Sequence, residues 1–434
     1  MRSYSALKPS SSPGPSKHRR GLLGAAALTV LSGAGCGALD FWPDEGWRNR
    51  CVAALPKSLA NHPIVSAAWE GIDPAYVWDT HTHLVGTGDS GGGVYVNPAM
   101  KRPLNPLLYA RYLFYLNAGC VHDAPGKVDE TYVARLLNLV EGMRAGFKTM
   151  LFAFDANVDG NGTPQLAETM FHVPNEYAAA VAARHPKHFE WVASIHPYRA
   201  DALGRLTKAV QAGARAVKWL PNAMLIDPAA PRCDAFYDAL VRYDLPLITH
   251  AGFEAAVHSP EGQSMGNPLR LRRPLERGVR VVVAHCASLG EDVELDAGPN
   301  GPRVASFTLF RRLMDAERYR GRLFGDISAM MLRNRAGAPL AYVLERSDWH
   351  PRLLNGSDYP LPGILPLISV EALVQAGFLP AEAGAVLREL REFPRLRVNR
   401  LEPLEGPVLR LRKLHALRGV GEEFYLLALD DVMG

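Results

Sequence analysis

The chain has 434 residues, 48% of them apolar and 21% charged, an ordinary globular balance that excludes a largely disordered chain, a collagen or a coiled-coil rod. Its 48 basic and 44 acidic residues leave a formal net charge of +4, too small an excess over this length for a nucleic-acid footprint. Five cysteines are too few for a disulfide scaffold.

The first elements are read as an address. Residues 1–20 carry Arg2, Lys8, Lys17, Arg19 and Arg20 and no acid, and Gly21 to Gly35 are small or apolar without a charge. That run is shorter than the roughly 20 residues a membrane-spanning helix needs. A basic stretch before a short apolar one reads as a bacterial export signal, and Arg19-Arg20 resembles a twin-arginine signal. The string Leu31-Ser32-Gly33-Ala34-Gly35-Cys36 resembles a lipoprotein processing site, with Cys36 as the lipidated residue; plain cleavage nearby is the other reading. Residues 1–36 are therefore expected to be an export signal, and the mature protein to be periplasmic or lipid-anchored at the cell envelope. Cys51, Cys120, Cys233 and Cys286 remain, with a pairing that the sequence does not specify. Residues 37–74 lead into the first strand.

From residue 75 a rhythm begins. Short apolar or β-branched runs occur at Tyr76–Asp79, Phe147–Phe154, Phe189–His196, Ala214–Leu220, Leu245–His250, Val279–His285, Arg322–Ile327 and Arg352–Asp358. Near-continuous apolar runs of this length suit strands buried on both faces of a parallel sheet. Between several of them lie helical patterns, at Pro174–Arg184, Asp201–Ala212 and Cys233–Tyr243, with apolar residues at three- and four-residue steps. Eight alternating units predict an α/β fold, a (β/α)8 barrel over 75–365. An open doubly wound sheet is the rival; it would place a helix directly after a glycine-rich turn, and Gly86–Gly93 leads to none. That stretch opens a β1–β2 insertion, read either as a surface loop or as a lid over the barrel mouth. Residues 366–434 read as a helical C-terminal extension, through stretches such as Arg388–Arg397 and Val408–Leu417.

A barrel enzyme carries its chemistry at the C-terminal ends of its strands. The first run leads into Asp79-Thr80-His81-Thr82-His83, and residues i and i+2 of an extended chain share a face, so His81 and His83 project together as two imidazoles able to grip one cation. The fifth run ends in His250, the sixth in His285 and the eighth in Asp358, with Lys218 near the end of the fourth. Five strand ends delivering His, Lys and Asp to one rim need a common partner, because buried ionisable groups are costly without one; a cation supplies it. Asp79 reads as an acceptor fixing a histidine, or as a strand-end cap. His196, Arg199 and Glu254 are expected to face substrate. Cys286 and Trp219 alternate away from the rim and read as packing.

The segments DTHTHL (79–84), AVKWLP (216–221), LPLITHAG (245–252), VVVAHCAS (281–288) and LLNGSDYP (353–360) together resemble the amidohydrolase superfamily, in the style of its amidohydrolase-related group of hydrolases and non-oxidative decarboxylases. The resemblance implies that His81, His83, His250 and Asp358 reach a divalent metal, most simply zinc, as one or two ions. It implies that His285 ligates a second ion or holds substrate, and that Lys218 sits where two-metal members carry a carboxylated bridging lysine. The expected reaction is hydrolysis of an amide, lactone or ester of a small molecule by a metal-activated water, with Asp358 as general base and His285 orienting the carbonyl. Two alternatives stand beside it. One is a decarboxylase or lyase on the same barrel, with Lys218 or Arg199 holding the substrate carboxylate; the other is a binding protein that has kept the barrel. No nucleic acid or organic cofactor is expected, and membrane contact only through Cys36. A homo-oligomer is left open.

Overall fold

β-branched clusters such as Val281-Val282-Val283 and Leu247-Ile248-Thr249 favour extended backbone because branched side chains pack well on a pleated surface. In a computed structural model, which describes residues 61–122, 124–257, 261–364 and 367–391 with Asn49, Cys51, 411–414 and 424–426, each of the eight runs overlaps a strand. They are β1 (Trp78–His83), β2 (Lys148–Phe152), β3 (Phe189–Val192), β4 (Val217–Trp219), β5 (Leu247–Thr249), β6 (Val281–Val283), β7 (Leu323–Asp326) and β8 (Leu353–Leu354). The fold is α/β with parallel sheets: β1-β2-β3 form one sheet and β8-β7-β6-β5-β4 a second.

Parallel bridges join the two sheets at both ends. Ala193 pairs with Val217 and Thr82 with Tyr359. Lys218 N–H donates to Ala193 O at 2.7 Å, and Asp358 N–H to His81 O at 2.9 Å. β2 to β8 are shorter than the runs that predicted them, whereas β1 continues past Asp79 to His83. Asn355 to Tyr359 continue past β8 through single contacts with β1, among them Thr80 N–H to Asn355 O and His83 N–H to Tyr359 O, both 3.0 Å.

The predicted helices form at Asn175–Arg184, Ala202–Gln211 and Asp234–Arg242, and one core cluster joins them to the strands through residues such as Leu206, Trp219, Phe236 and Phe310. The segment between β1 and β2 is ordered around one carboxylate. Asp129, in the first turn of helix Val128–Glu141, accepts from the backbones of Thr87 and Gly88 at 2.6 and 3.1 Å and from Ser90 Oγ at 2.7 Å. A Cβ on Gly86 would meet the Asp129 carboxylate at 2.3 Å, so the glycine-rich turn is clamped rather than loose. The same segment holds helix Pro106–Ala118. A disulfide ties Cys51 to Cys120, and Cys233 and Cys286 are free and buried.

After the strands, helices Val370–Gln375 and Ala381–Arg391 pack on Ala329 and Leu332, which follow β7, to form a second apolar cluster. One expectation for this extension is corrected. Leu411–Leu414 is a strand paired antiparallel with Phe424–Leu426, not part of a helix; the alternation Leu409-Arg410-Leu411-Arg412 has a period of two, which suits a strand. The export signal, Cys36, most of 37–60 and the part of Arg388–Arg397 beyond Arg391 lie outside the described residues.

Trp349 is fully buried among Phe307, Phe310 and Tyr342, and its Nε1 donates to Asp315 at 3.1 Å. Trp349→Ala is expected to lower the unfolding free energy by about 3–5 kcal/mol, read as a shifted midpoint at unchanged slope in denaturant titration.

Candidate metal centre

The strand ends place His81, His83, Lys218, His250, His285 and Asp358 around one cavity of about 340 Å³. Three of the histidines are held in the same way. His81 Nδ1–H donates to Asp326 Oδ2 at 2.9 Å, and His285 Nδ1–H to Ser328 O at 2.9 Å. His250 Nδ1 lies 3.3 Å from Glu254 Oε2. Fixing Nδ1 as the protonated nitrogen leaves the Nε2 lone pair of each ring free.

Those lone pairs converge. His81 Nε2 is 3.5 Å from Asp358 Oδ1, and His83 Nε2 is 3.1 Å from the same oxygen. Ring centroids of His81 and His285 are 4.9 Å apart, and those of His250 and His285 5.5 Å apart. His81, His285 and Asp358 each offer a ligand atom within 4.8 Å of the others. His250 Nε2 is buried without a hydrogen-bond partner among the described residues. Lys218 Nζ lies 3.4 Å from His81 Nε2.

Burial sets the charges. It pushes His81 and His285 well below the usual imidazole range and His250 down to about 4, so these rings are neutral, the form that binds metal. It also brings Lys218 down to about 8. Asp79 is raised to about 6 by burial; its Oδ1 accepts from His81 N–H at 3.1 Å and Ser357 N–H at 2.9 Å, which makes it a clasp between the ends of β1 and β8. An orphaned imidazole nitrogen, a shared carboxylate oxygen and neutral rings fit a divalent cation, for which nitrogen and oxygen donors of this kind are suited.

The backbone bends to present these groups. His285, Cys286 and Ala287 have φ of 54°, 51° and 49°, and Asp358 has φ of 60°, left-handed conformations that cost non-glycine residues about 1–3 kcal/mol each. Gly356 lets β8 approach β1, because a Cβ there would sit 2.8 Å from His81 Cβ and 3.0 Å from Ser328 Cβ. Cys286 is buried with its Sγ against Asp326 O at 3.3 Å, and Trp219 Nε1 donates into the core to Ile195 O at 2.8 Å; both pack.

Two expected substrate residues are held elsewhere. His196 and Arg199 lie outside the cavity lining. β3 ends at Val192, short of the predicted His196, and the chain then turns, with Arg199 N–H donating to His196 O at 3.2 Å. His196 Nε2 donates to Met224 O at 2.8 Å, while Arg199 is taken by Asp201 at 2.8 Å and Asp155 at 3.5 Å. Glu254 does border the cavity, but its Oε1 accepts from Ala256 and Val257 N–H at 2.6 and 3.0 Å, so it is anchored where it can steady His250.

Sequence reasoning passed over Asp326, Arg335 and Tyr115. Asp326 stood at the end of a predicted strand and was open to the same rule that found His285. Besides His81, it accepts from His285 N–H and Ser328 N–H, both at 3.0 Å, and from the Ser328 hydroxyl. Tyr115 comes from the insertion and donates to Ala256 O at 2.9 Å beside the cavity. Arg335 is buried at the cavity wall, and burial lowers its pKa below the usual guanidinium value.

The sequence profile of the amidohydrolase family matches residues 78–363. No curated protein matches the chain. Among solved structures, the chain is similar to an uncharacterized TIM-barrel protein from Bordetella bronchiseptica, at 17% identity over 73% of this chain and 99% of that one, with a TM-score of 0.44. It is similar to 5-carboxyvanillate decarboxylase from Sphingomonas paucimobilis at 13% identity over 73% and 97%, with a TM-score of 0.43. It is also similar to 4-oxalomesaconate hydratase from Rhodopseudomonas palustris at 14% identity over 73% and 94%, with a TM-score of 0.39.

Asp326→Asn is expected to weaken metal retention by about 10–100-fold while far-UV circular dichroism stays unchanged, as measured by elemental mass spectrometry after dialysis against graded chelator. Gly356→Ala is expected to lower metal content in the same assay, by pushing on His81.

Proposed function

This chain belongs to the amidohydrolase family, and on that premise we propose that it is a metal-dependent hydrolase that cleaves a C–N or C–O bond, in an amide, lactone or ester, of a small molecule. One observation carries the reading: the buried imidazoles of His81 and His285, each held at Nδ1, bring a ligand atom within 4.8 Å of one carboxylate, Asp358. We read the two bridged sheets as one (β/α)8 barrel whose β1–β2 insertion covers the mouth, because Gly86, Tyr95 and Tyr115 border the cavity.

His81, His83, His250 and Asp358 would hold the ion, zinc by the donor set, with His285 and Lys218 placed for a second. Such an ion would polarise the scissile carbonyl and make a nearby water more acidic. Asp358 takes the proton of the attacking water and returns it to the departing nitrogen or oxygen, so that one water is consumed and one bond is exchanged for another. His285 orients the carbonyl, and Asp326 keeps His81 and His285 from turning. The aromatic walls exclude bulk water.

A second reading, non-oxidative decarboxylation on the same centre, is favoured by one feature: the buried cation Arg335 beside an apolar cavity. We further propose that the mature protein works outside the cytoplasm. The basic and apolar N-terminal runs and the Cys51–Cys120 disulfide support this, since disulfides persist in oxidising compartments.

Metal content by elemental mass spectrometry, together with turnover of amides, lactones and aromatic carboxylates in heavy-oxygen water, tests the assignment. Bound metal and label incorporated into product are expected, with Asp358→Asn slower by about 10²–10⁴-fold. Carbon dioxide release without label would move the assignment to decarboxylation. A folded protein that holds no metal would overturn both readings.

A further inference from the structure

Helix Pro106–Ala118, in the β1–β2 insertion, reads PLLYARYLFYLNA, apolar on every side and without an acid. A helix of that kind is ordinarily buried all round. This one is not. Leu107 is 68% exposed and Leu104, just before the helix, 93%, which makes them the two most exposed large apolar side chains among the described residues. Leu108, Tyr112 and Leu113 are half-buried. Apolar surface grouped in this way and left to water marks a contact with something apolar.

The exposed end is held in place. Asn97 Oδ1 accepts from Ala99 N–H at 2.9 Å, and Asn105 Nδ2 donates to Ala99 O at 3.1 Å, so the turn carrying Lys101, Arg102 and Leu104 is shaped before any partner arrives and little ordering is left to oppose binding. The other end of the helix is fixed at the cavity, where Phe114 and Tyr115 form part of the wall and the Tyr115 hydroxyl donates to Ala256 O at 2.9 Å. Leu107, Arg111, Phe114 and Tyr115 follow one another at three- and four-residue steps and share a face. One stripe of the helix thus runs from the exposed leucines to the mouth of the cavity.

Charge selects the partner. Residues 90–121 contain Lys101, Arg102 and Arg111 and no acid, and Lys101 and Arg102 are exposed beside Leu104. A second copy meeting this patch across a two-fold axis would bring like charges together. An anionic bilayer offers both an apolar layer for the leucines and counter-charge for the cations, about 1 kcal/mol for each Lys or Arg near the surface. At 13 residues the helix is shorter than the roughly 20 that span a bilayer, so it lies at the interface, where tyrosines such as Tyr109 and Tyr112 are at home.

The chain leads to the same place. The Cys51–Cys120 disulfide and the bond from Asn49 Nδ2 to Ala118 O, at 2.8 Å, tie the N-terminal segment to the end of this helix. Cys51 follows Cys36 by 15 residues, a reach of at most about 50 Å, against a helix about 20 Å long. An acyl chain on Cys36 would hold the patch within reach of a membrane. That step rests on the envelope location proposed above; the apolar surface and its charge do not.

We infer that the insertion is a membrane-docking element: Leu104 and Leu107 enter the surface of an anionic bilayer, Lys101 and Arg102 bind its headgroups, and the cavity mouth faces the lipid.

Sedimentation with vesicles tests this on the full chain carrying Cys36→Ser, so that no acyl chain contributes. Binding to phosphatidylglycerol–phosphatidylcholine vesicles is expected to exceed binding to phosphatidylcholine alone by at least about tenfold and to weaken with salt. Leu104→Glu with Leu107→Glu is expected to weaken it by about tenfold or more, and Lys101→Glu with Arg102→Glu to abolish the preference for anionic lipid. Leu203→Glu, at an exposed leucine on another helix, is expected to change nothing. Hydrogen exchange read by mass spectrometry is expected to slow over 104–115 when vesicles are added. All these positions are exposed, so the variants are expected to keep the thermal midpoint of the parent. Vesicle binding through the apolar N-terminal run would ignore these substitutions and leave 104–115 unprotected, and that result overturns the inference. So does equal binding to neutral vesicles, or self-association that Leu104→Glu abolishes in a chain that binds no vesicle. None of these outcomes touches the metal centre, which is read separately by its metal content.

Discussion

The site turns on the Asp326 carboxylate. From the end of β7 it holds His81 Nδ1 with one oxygen, and the backbones of His285 and Ser328 with the other. The contacts span three segments far apart in sequence, and all are buried. A carboxylate oxygen that accepts from a ring N–H fixes the tautomer of the imidazole that donates to it. Without that anchor the His81 ring could protonate at either nitrogen, and its Nε2 would not reliably face Asp358. The left-handed backbone at His285 is tolerable for the same reason, since its N–H is bound on Asp326 as the chain turns.

Much of this was legible in the sequence because a parallel sheet buried on both faces writes its strands as apolar runs, and each run here overlaps a strand. The same logic located His81, His83, Lys218, His250, His285 and Asp358 as polar residues ending those runs. It does not set the direction of His196. There the apolar run Phe189–His196 outlasts the hydrogen-bonded strand, which stops at Val192, and parity from a strand that has already ended says nothing about direction. Arg199 pairs with Asp155 and Asp201.

Other features could not be read along the chain. Arg335 sits in Met331-Leu332-Arg333-Asn334-Arg335, with no periodicity to separate it from Arg333. What buries one and not the other is the helical extension that packs on Leu332, a contact between distant segments. Tyr115 belongs to a helix whose apolar residues are distributed on all sides, so its pattern names no face; its place beside the cavity is set by the hydrogen bond to Ala256. Asp129 is a further case. A first-turn acid usually answers a helix dipole, yet here it organises the glycine-rich turn upstream.

The pocket is therefore built from groups that are unfavourable one by one: desolvated imidazoles, a lysine pushed down to about 8, a guanidinium with vacant donors and a carboxylate on left-handed backbone. Charges of both signs share a small space with aromatic walls, so their interactions are weakly screened. The arrangement is least favourable with the cavity empty of counter-charges. A cation among the histidines would offset the charge of Asp358 and Glu254 beside them. The groups are carried on the apolar core of the two parallel sheets and on the C-terminal cluster packed against it.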